Sequence, residues 1–152
     1  MGVRESIGTK LSVSATLPTT LDDDDTTGYA SLTGTLVGEV TEVPEYGGQA
    51  ATVEHTPLAT GITRKFHGAI NYGSLTVPLA LDRDDAGQAI LSGAFASKAQ
   101  IAFLVEYPDG TQDCFLGKVM SEIRRSSNSG NVVSGNVMIE IDTPIVELAA
   151  AP

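Results

Sequence analysis

Tryptophan is absent from this chain, aromatic residues make up only 5% of its 152 positions, and cysteine occurs once. Stacking of nucleic-acid bases needs exposed rings, so the shortage argues against a single-strand-binding platform. The lone Cys114 cannot form an internal disulfide, and one thiol with two histidines supplies no spaced zinc cluster. No cofactor or metal site is expected. Basic residues are scarce too: nine lysines and arginines face nineteen carboxylates, a net charge of −10. Tight binding to a phosphate backbone rests on positive charge and is not expected, although an acidic surface can still act by repelling DNA. No apolar run approaches the roughly 20 residues of a bilayer span, and Met1 to Lys10 lacks the apolar centre of a signal peptide. The expectation is a protein made in the cytoplasm, without a membrane segment.

What is present suffices for one core, since 41% of the residues are hydrophobic and the length suits a single domain. Leu11, Val13, Ala15 and Leu17 alternate up to Pro18 and predict a first strand after an arm over residues 1–9. Asp22 to Asp25 repel one another and read as a solvated loop, because the spaced ligands, turn glycine and distal carboxylate of a calcium loop are missing. Thr35 to Val43 predicts a second strand with bends at Gly34 and Gly38.

The most informative stretch runs from Tyr46 to Ser92. Gly47 and Gly48 open it, and Ala51, Val53 and His55 then alternate as in a strand with one buried face, ending at Pro57. Leu58 to Phe66, with Arg64 and Lys65, carries too little apolar surface to order itself, so residues 44–66 are predicted to form a long loop that needs a partner. Leu75, Val77, Leu79 and Leu81 share one strand face, and Pro78 puts that strand at an edge or a bulge. Asp82 or Asp84 is expected to cap a helix over about residues 84–96, whose apolar stripe is Ala86, Ile90, Leu91, Ala94 and Phe95.

Beyond the helix, Ile101 to Tyr107 and Gln112 to Met120 form a hairpin around Pro108, Asp109 and Gly110. A polar turn at Ser126 to Asn131 then joins a strand near Val119 to Arg124 with another through Val133 to Ile141. The fold class predicted is mainly β: an antiparallel β-sandwich or open barrel over residues 10–142 with one flanking α-helix, and a tail over residues 143–152. Its sheet borders need protection by charge, by a bulge or by pairing with a neighbour.

No phosphate loop, HExxH pair, nucleophile elbow or Cys/His dyad is present. His55 and His67 read as ordinary strand histidines, Cys114 as a small apolar side chain, and Asp84 with Asp85 as helix-capping groups. No catalytic residue is assigned, and an enzyme is not expected.

The order of these elements resembles the major tail tube proteins of long, non-contractile-tailed bacteriophages of the lambda type. The resemblance rests on Val37 to Val43 before the Gly-rich loop, Gly68 to Val77 leading to Asp82, Asp84, Asp85, Ala86, Gly87 and Gln88, and Phe103 to Gly117 with its Phe115-Leu116-Gly117 ending. It covers most of residues 35 to 142, and the Asp22 to Asp25 run departs from it.

What the resemblance implies is a virion structural protein that forms hexameric rings, stacked into a tube through which DNA passes without specific binding. Tape-measure, tail-terminator and tail-tip proteins are the implied partners besides further copies of the chain. Glu39, Glu42, Glu122, Glu140 and Asp142, as outward alternates, are candidates to line the channel. Glu45, Tyr46, Gly47, Gly48, Arg64 and Lys65 are candidates for contacts between subunits or rings. The alternatives are the tube protein of a contractile tail or related secretion system, and a monomeric β-sandwich binding module. Four tyrosines and no tryptophan disfavour the last.

Overall fold

A computed structural model describes residues 5, 7–24, 26–126 and 133–149. Its strands are β1 (Lys10–Ser14), β2 (Thr35–Leu36), β3 (Gln49–His55), β4 (Arg64–Asn71), β5 (Ser74–Ala80), β6 (Gln100–Glu106), β7 (Gln112–Arg125), β8 (Ser134–Ile141) and β9 (Val146–Leu148), with one α-helix, α1 (Ala86–Ser97). All pairings are antiparallel, in the order β2-β1-β6-β7-β8-β5, with β9 also on β7. β3 and β4 form a separate two-stranded sheet.

Inward side chains from β1, β5, β6, β7 and β8 share a single core cluster, among them Val13, Val77, Phe103, Phe115 and Ile139. Strands are about 4.8 Å apart in a sheet, so β1 and β5 can reach one core only if the sheet curls over its own face. The sheet does not close, and α1 packs on β7, β1 and β2 across the opening. The hinge of the curl is β7, whose first half pairs with β6 and whose second half pairs with β8, with a register shift between Val119 and Ser121.

The predicted hairpin is found as β6–β7, closed by Tyr107 N–H to Thr111 O (2.9 Å) and Gly110 N–H to Tyr107 O (2.9 Å). Both of its faces are buried. Ala102, Leu104, Cys114 and Leu116 point away from the main core into a second cluster, covered by Tyr29 from a 3-10 turn (Tyr29–Ser31) and by Val146 and Leu148 of β9. The predicted C-terminal tail therefore contains a strand. Tail and sheet are further joined by Leu116 N–H to Thr143 Oγ1 at 2.9 Å.

Several expectations are corrected. The second strand stops at Leu36 instead of Val43, because Glu39 takes a left-handed φ of 61° that no strand continues. The helix cap is Asp85, not Asp82 or Asp84: its side chain accepts from Gln88 N–H at 2.9 Å and from Gly38 N–H at 3.0 Å. Asp82 instead accepts from Asp84 N–H in the turn before the helix. The buried helix stripe is Gly87, Leu91 and Ala94, while Phe95 is exposed. A Cβ on Gly87 would lie 2.4 Å from Leu36 O, so glycine is what lets α1 approach β2. The segment predicted as a long loop is largely the hairpin β3–β4, and no residue of β3 is buried. The polar turn expected at Ser126 to Asn131 lies, apart from Ser126, outside the described residues.

Candidate assembly surfaces

Two surfaces stand out among the described residues: a sheet border that is only partly covered and a hairpin that projects exposed from the body.

The border is β5, whose one partner strand among the described residues is β8. Gly73 O accepts from Ile141 N–H, so the odd positions bond to β8 and Ser74, Thr76, Pro78 and Ala80 turn their backbone groups outward. Pro78 is tolerated here because it has no N–H to leave unpaired. The segment around Val40 covers one end of this border: Thr41 N–H donates to Pro78 O at 3.1 Å and Ala80 N–H to Glu39 O at 2.9 Å. Gln88 holds that segment down, its Nε2 donating to Gly38 O at 3.0 Å and Ala80 O at 2.9 Å while its Oε1 accepts from Asp82 N–H at 3.0 Å. No strand among the described residues covers the border at Ser74 and Thr76.

The hairpin leaves the body through Gly47 and Gly48 and returns through Tyr72 and Gly73, whose φ of 78° makes the turn into β5. Its register pairs Val53 with Phe66, Glu54 with Lys65 and His55 with Arg64. Val53 and Phe66 fall on one face, which Arg64 and His55 share. Thr52, Glu54, Lys65 and His67 form the other, and the register shift between Ala50 and Thr52, with its extra residue in β4, turns Ile70 to that side. Val53 and Phe66 are 51% and 50% exposed, so the alternation in the sequence marks an apolar face that the other described residues leave half uncovered. Sequence reading missed β4, where Phe66 joins Val53 on this face while the register shift turns Ile70 to the other.

At the hairpin root, Tyr46 O–H donates to Asp113 Oδ2 at 2.6 Å and Tyr107 O–H to the same oxygen at 2.8 Å, with the two hydroxyls in contact. Burial, reinforced by the Asp113 carboxylate, drives the Tyr46 phenol far above its ordinary value, and burial raises Tyr107 as well. Nothing in the sequence joined these three residues. Beside them lies an open groove of about 980 Å³ bordered by Val40, Val43, Pro44, Tyr46, Tyr107 and Pro108, with Glu42 and Glu45 also lining it.

The proposed channel carboxylates do not stand together. Glu140 and Asp142 lie on the outward face of β8, Glu140 opposite Lys118 and Asp142 in an ion pair with Lys118 at 3.6 Å. Glu39 and Glu42 lie exposed beside the β5 border and the groove. Glu122 departs from the expectation of an outward position. It is opposite the core residue Val137, accepts from Ser92 Oγ of α1 at 2.8 Å and is paired with Arg124 at 2.9 Å. The shift between Val119 and Ser121 inverts the alternation of β7 and turns Glu122 to the helix side.

The remaining candidates carry no constellation for catalysis. His55 and His67 occupy opposite faces of the exposed hairpin. The Cys114 thiol is buried and pushed up to about 12 by desolvation, so it is not a nucleophile near neutral pH. In the aspartate run, Asp24 accepts from Thr26 Oγ1 and from the Thr26 and Thr27 amides, bonds that lower its pKa and close an exposed turn.

No protein-family model and no curated protein matches the sequence. Solved structures do. One chain from the tail of an empty gene transfer agent particle, refined with C6 symmetry, superposes with a TM-score of 0.72 at 13% identity over 97% of this chain and 100% of that one. The SPP1 tail tube gives 0.60 at 16% identity over 95% and 77%. A chain from the sheath/tube terminator structure of an extracellular contractile injection system gives 0.65 at 11% identity over 98% and 99%. The chain thus has a fold found in phage tails and in related contractile machines, and these likenesses do not single out the lambda type.

Proposed function

We propose that this protein is a structural subunit of a tail tube in a phage or phage-like particle, with no enzymatic role of its own. Six copies close a ring, rings stack into a hollow tube, and DNA passes through the channel without specific binding. The observation that carries this reading is the amphipathic hairpin β3–β4, whose apolar face has no cover among the described residues, next to a sheet border left open there at Ser74 and Thr76. Such features are completed by head-to-tail contacts between identical subunits, which close as a ring when the rotation allows. The fold shared with the C6 gene transfer agent tail and the SPP1 tail tube supports it.

Glu45, Tyr46, Gly47 and Gly48 at the hairpin root, with Arg64 and Lys65 on β4, form the contacts between subunits or rings. Glu39, Glu42, Glu140 and Asp142 contribute negative charge to the channel, where it keeps DNA phosphates from adhering. Tape-measure, terminator and tail-tip proteins bind the tube ends. A tube within a contractile system is the second reading, favoured by the likeness to the contractile injection system. Binding of the assembled tube to a sheath protein separates the two.

Sedimentation of the purified chain over a range of concentrations tests the proposal. A species of six protomers growing into larger polymers is the expected result, and a single 15.8 kDa species at every concentration would overturn it.

A further inference from the structure

The exposed face of β3–β4 and the groove at the hairpin root are complementary, and one copy cannot bring its own pair together. Val53 and Phe66 form an apolar patch, and Arg64 extends it toward the tip. The groove offers the counterpart: apolar walls of Val40, Val43, Pro44, Tyr46, Tyr107 and Pro108, with Glu42 and Glu45 beside them and no lysine or arginine among its described lining residues. The hairpin carries Arg64 and Lys65 against Glu54 alone, so it is positive in a chain whose net charge is −10. Strands advance about 3.3 Å per residue, so Arg64, opposite His55, stands roughly 20 Å from the root at Gln49. While the hairpin is formed, its own groove is out of reach.

We infer that the apolar face of β3–β4, with Arg64, docks into the Glu42/Glu45 groove of a second copy of this chain. The inference rests on the tube-forming reading and adds which two surfaces meet. Each copy gives one hairpin and receives one, a heterologous contact whose apolar patch supplies affinity and whose charge pair fixes register. Lys65 lies on the opposite face, across from Glu54, and is left to contacts other than this docking.

The test uses the full chain and reads the concentration at which it assembles, by sedimentation at fixed low salt, with circular dichroism confirming that each variant is folded. Arg64→Glu, and separately Glu42→Lys with Glu45→Lys, should each raise that concentration about tenfold, and the three changes combined should recover most of the loss. Lys65→Glu should change it far less. Reversal variants that assemble like the parent, or a combined variant no better than its parts, would overturn the docking and leave tube formation standing. Failure of the parent chain to assemble at all would overturn the tube-forming reading instead. As a second measurement, Arg64→Cys with Glu45→Cys should form disulfides between copies under mild oxidation of the assembled protein, Cys114 being buried. Their absence from assembled particles would count against the docking.

Discussion

The Tyr46 hydroxyl donates to Asp113 Oδ2 at 2.6 Å and thereby fixes the root of a projecting hairpin to the β6–β7 hairpin, 67 positions away along the chain. Tyr107 donates to the same oxygen, so the carboxylate is the acceptor on which both phenols depend. Tyr46→Phe should lower unfolding stability by about 1–2 kcal/mol, and Asp113→Ala by more, since it strands two hydroxyls at once. Urea denaturation measures both, and limited proteolysis should show faster cleavage between Glu45 and Gly48 in each variant.

Alkaline pH should act through the same region. Burial first, then the neighbouring carboxylate, raises the folded-state pKa of Tyr46 above the ordinary phenol value of 10, with Tyr29 and Tyr107 also raised and Cys114 moved from 9.0 to about 12. Each group is held protonated by the fold, so its contribution is fully present below the unfolded pKa and is lost as pH rises toward the folded one. Stability should therefore decline from about pH 9 upward, Cys114 contributing first and the tyrosines from about pH 10. Denaturant midpoints measured from neutral to alkaline pH check the sign, and a midpoint that holds constant through this range contradicts it.

Gln88 is the third test, because one side chain ties the helix start to both the Gly38 segment and the end of β5. Gln88→Ala should destabilise the fold by about 1–3 kcal/mol, more than an exposed helix substitution would. It should also release the cover at Val40 and lengthen the free border of β5. The expected signature is faster hydrogen exchange at Thr41 and Ala80, whose amides donate across that border.

For the channel, Glu140→Lys with Asp142→Lys would set three cations together around Lys118 on the outward face of β8. Tubes should still form, because neither residue is part of the core, while DNA ejection from particles carrying them should slow. Unchanged ejection kinetics would remove these two residues from the channel.

Much of the fold was legible because local chemistry and tertiary structure agree. Pro108, Asp109 and Gly110 mark the β6–β7 turn, Pro78 marks the border strand, and the spacing of Leu91 and Ala94 marks the buried helix side. The rest depended on relationships that no local pattern carries. Three aspartates within four positions all suit a helix start, and the approach of Gly38 selects Asp85. One extra residue near Met120 reverses which side chains of β7 face outward, which moved Glu122 to the helix side. The hairpin showed the alternation of a half-buried strand, yet no surface among the described residues buries it. That mismatch, between pattern and burial, was the clearest pointer to assembly.

The most direct test is electron microscopy of the concentrated, untagged protein in negative stain. The account predicts hollow filaments of uniform bore, or six-fold rings in end view. A field of dispersed single subunits at every concentration, with the hairpin amides exchanging at the same rate throughout, would contradict it.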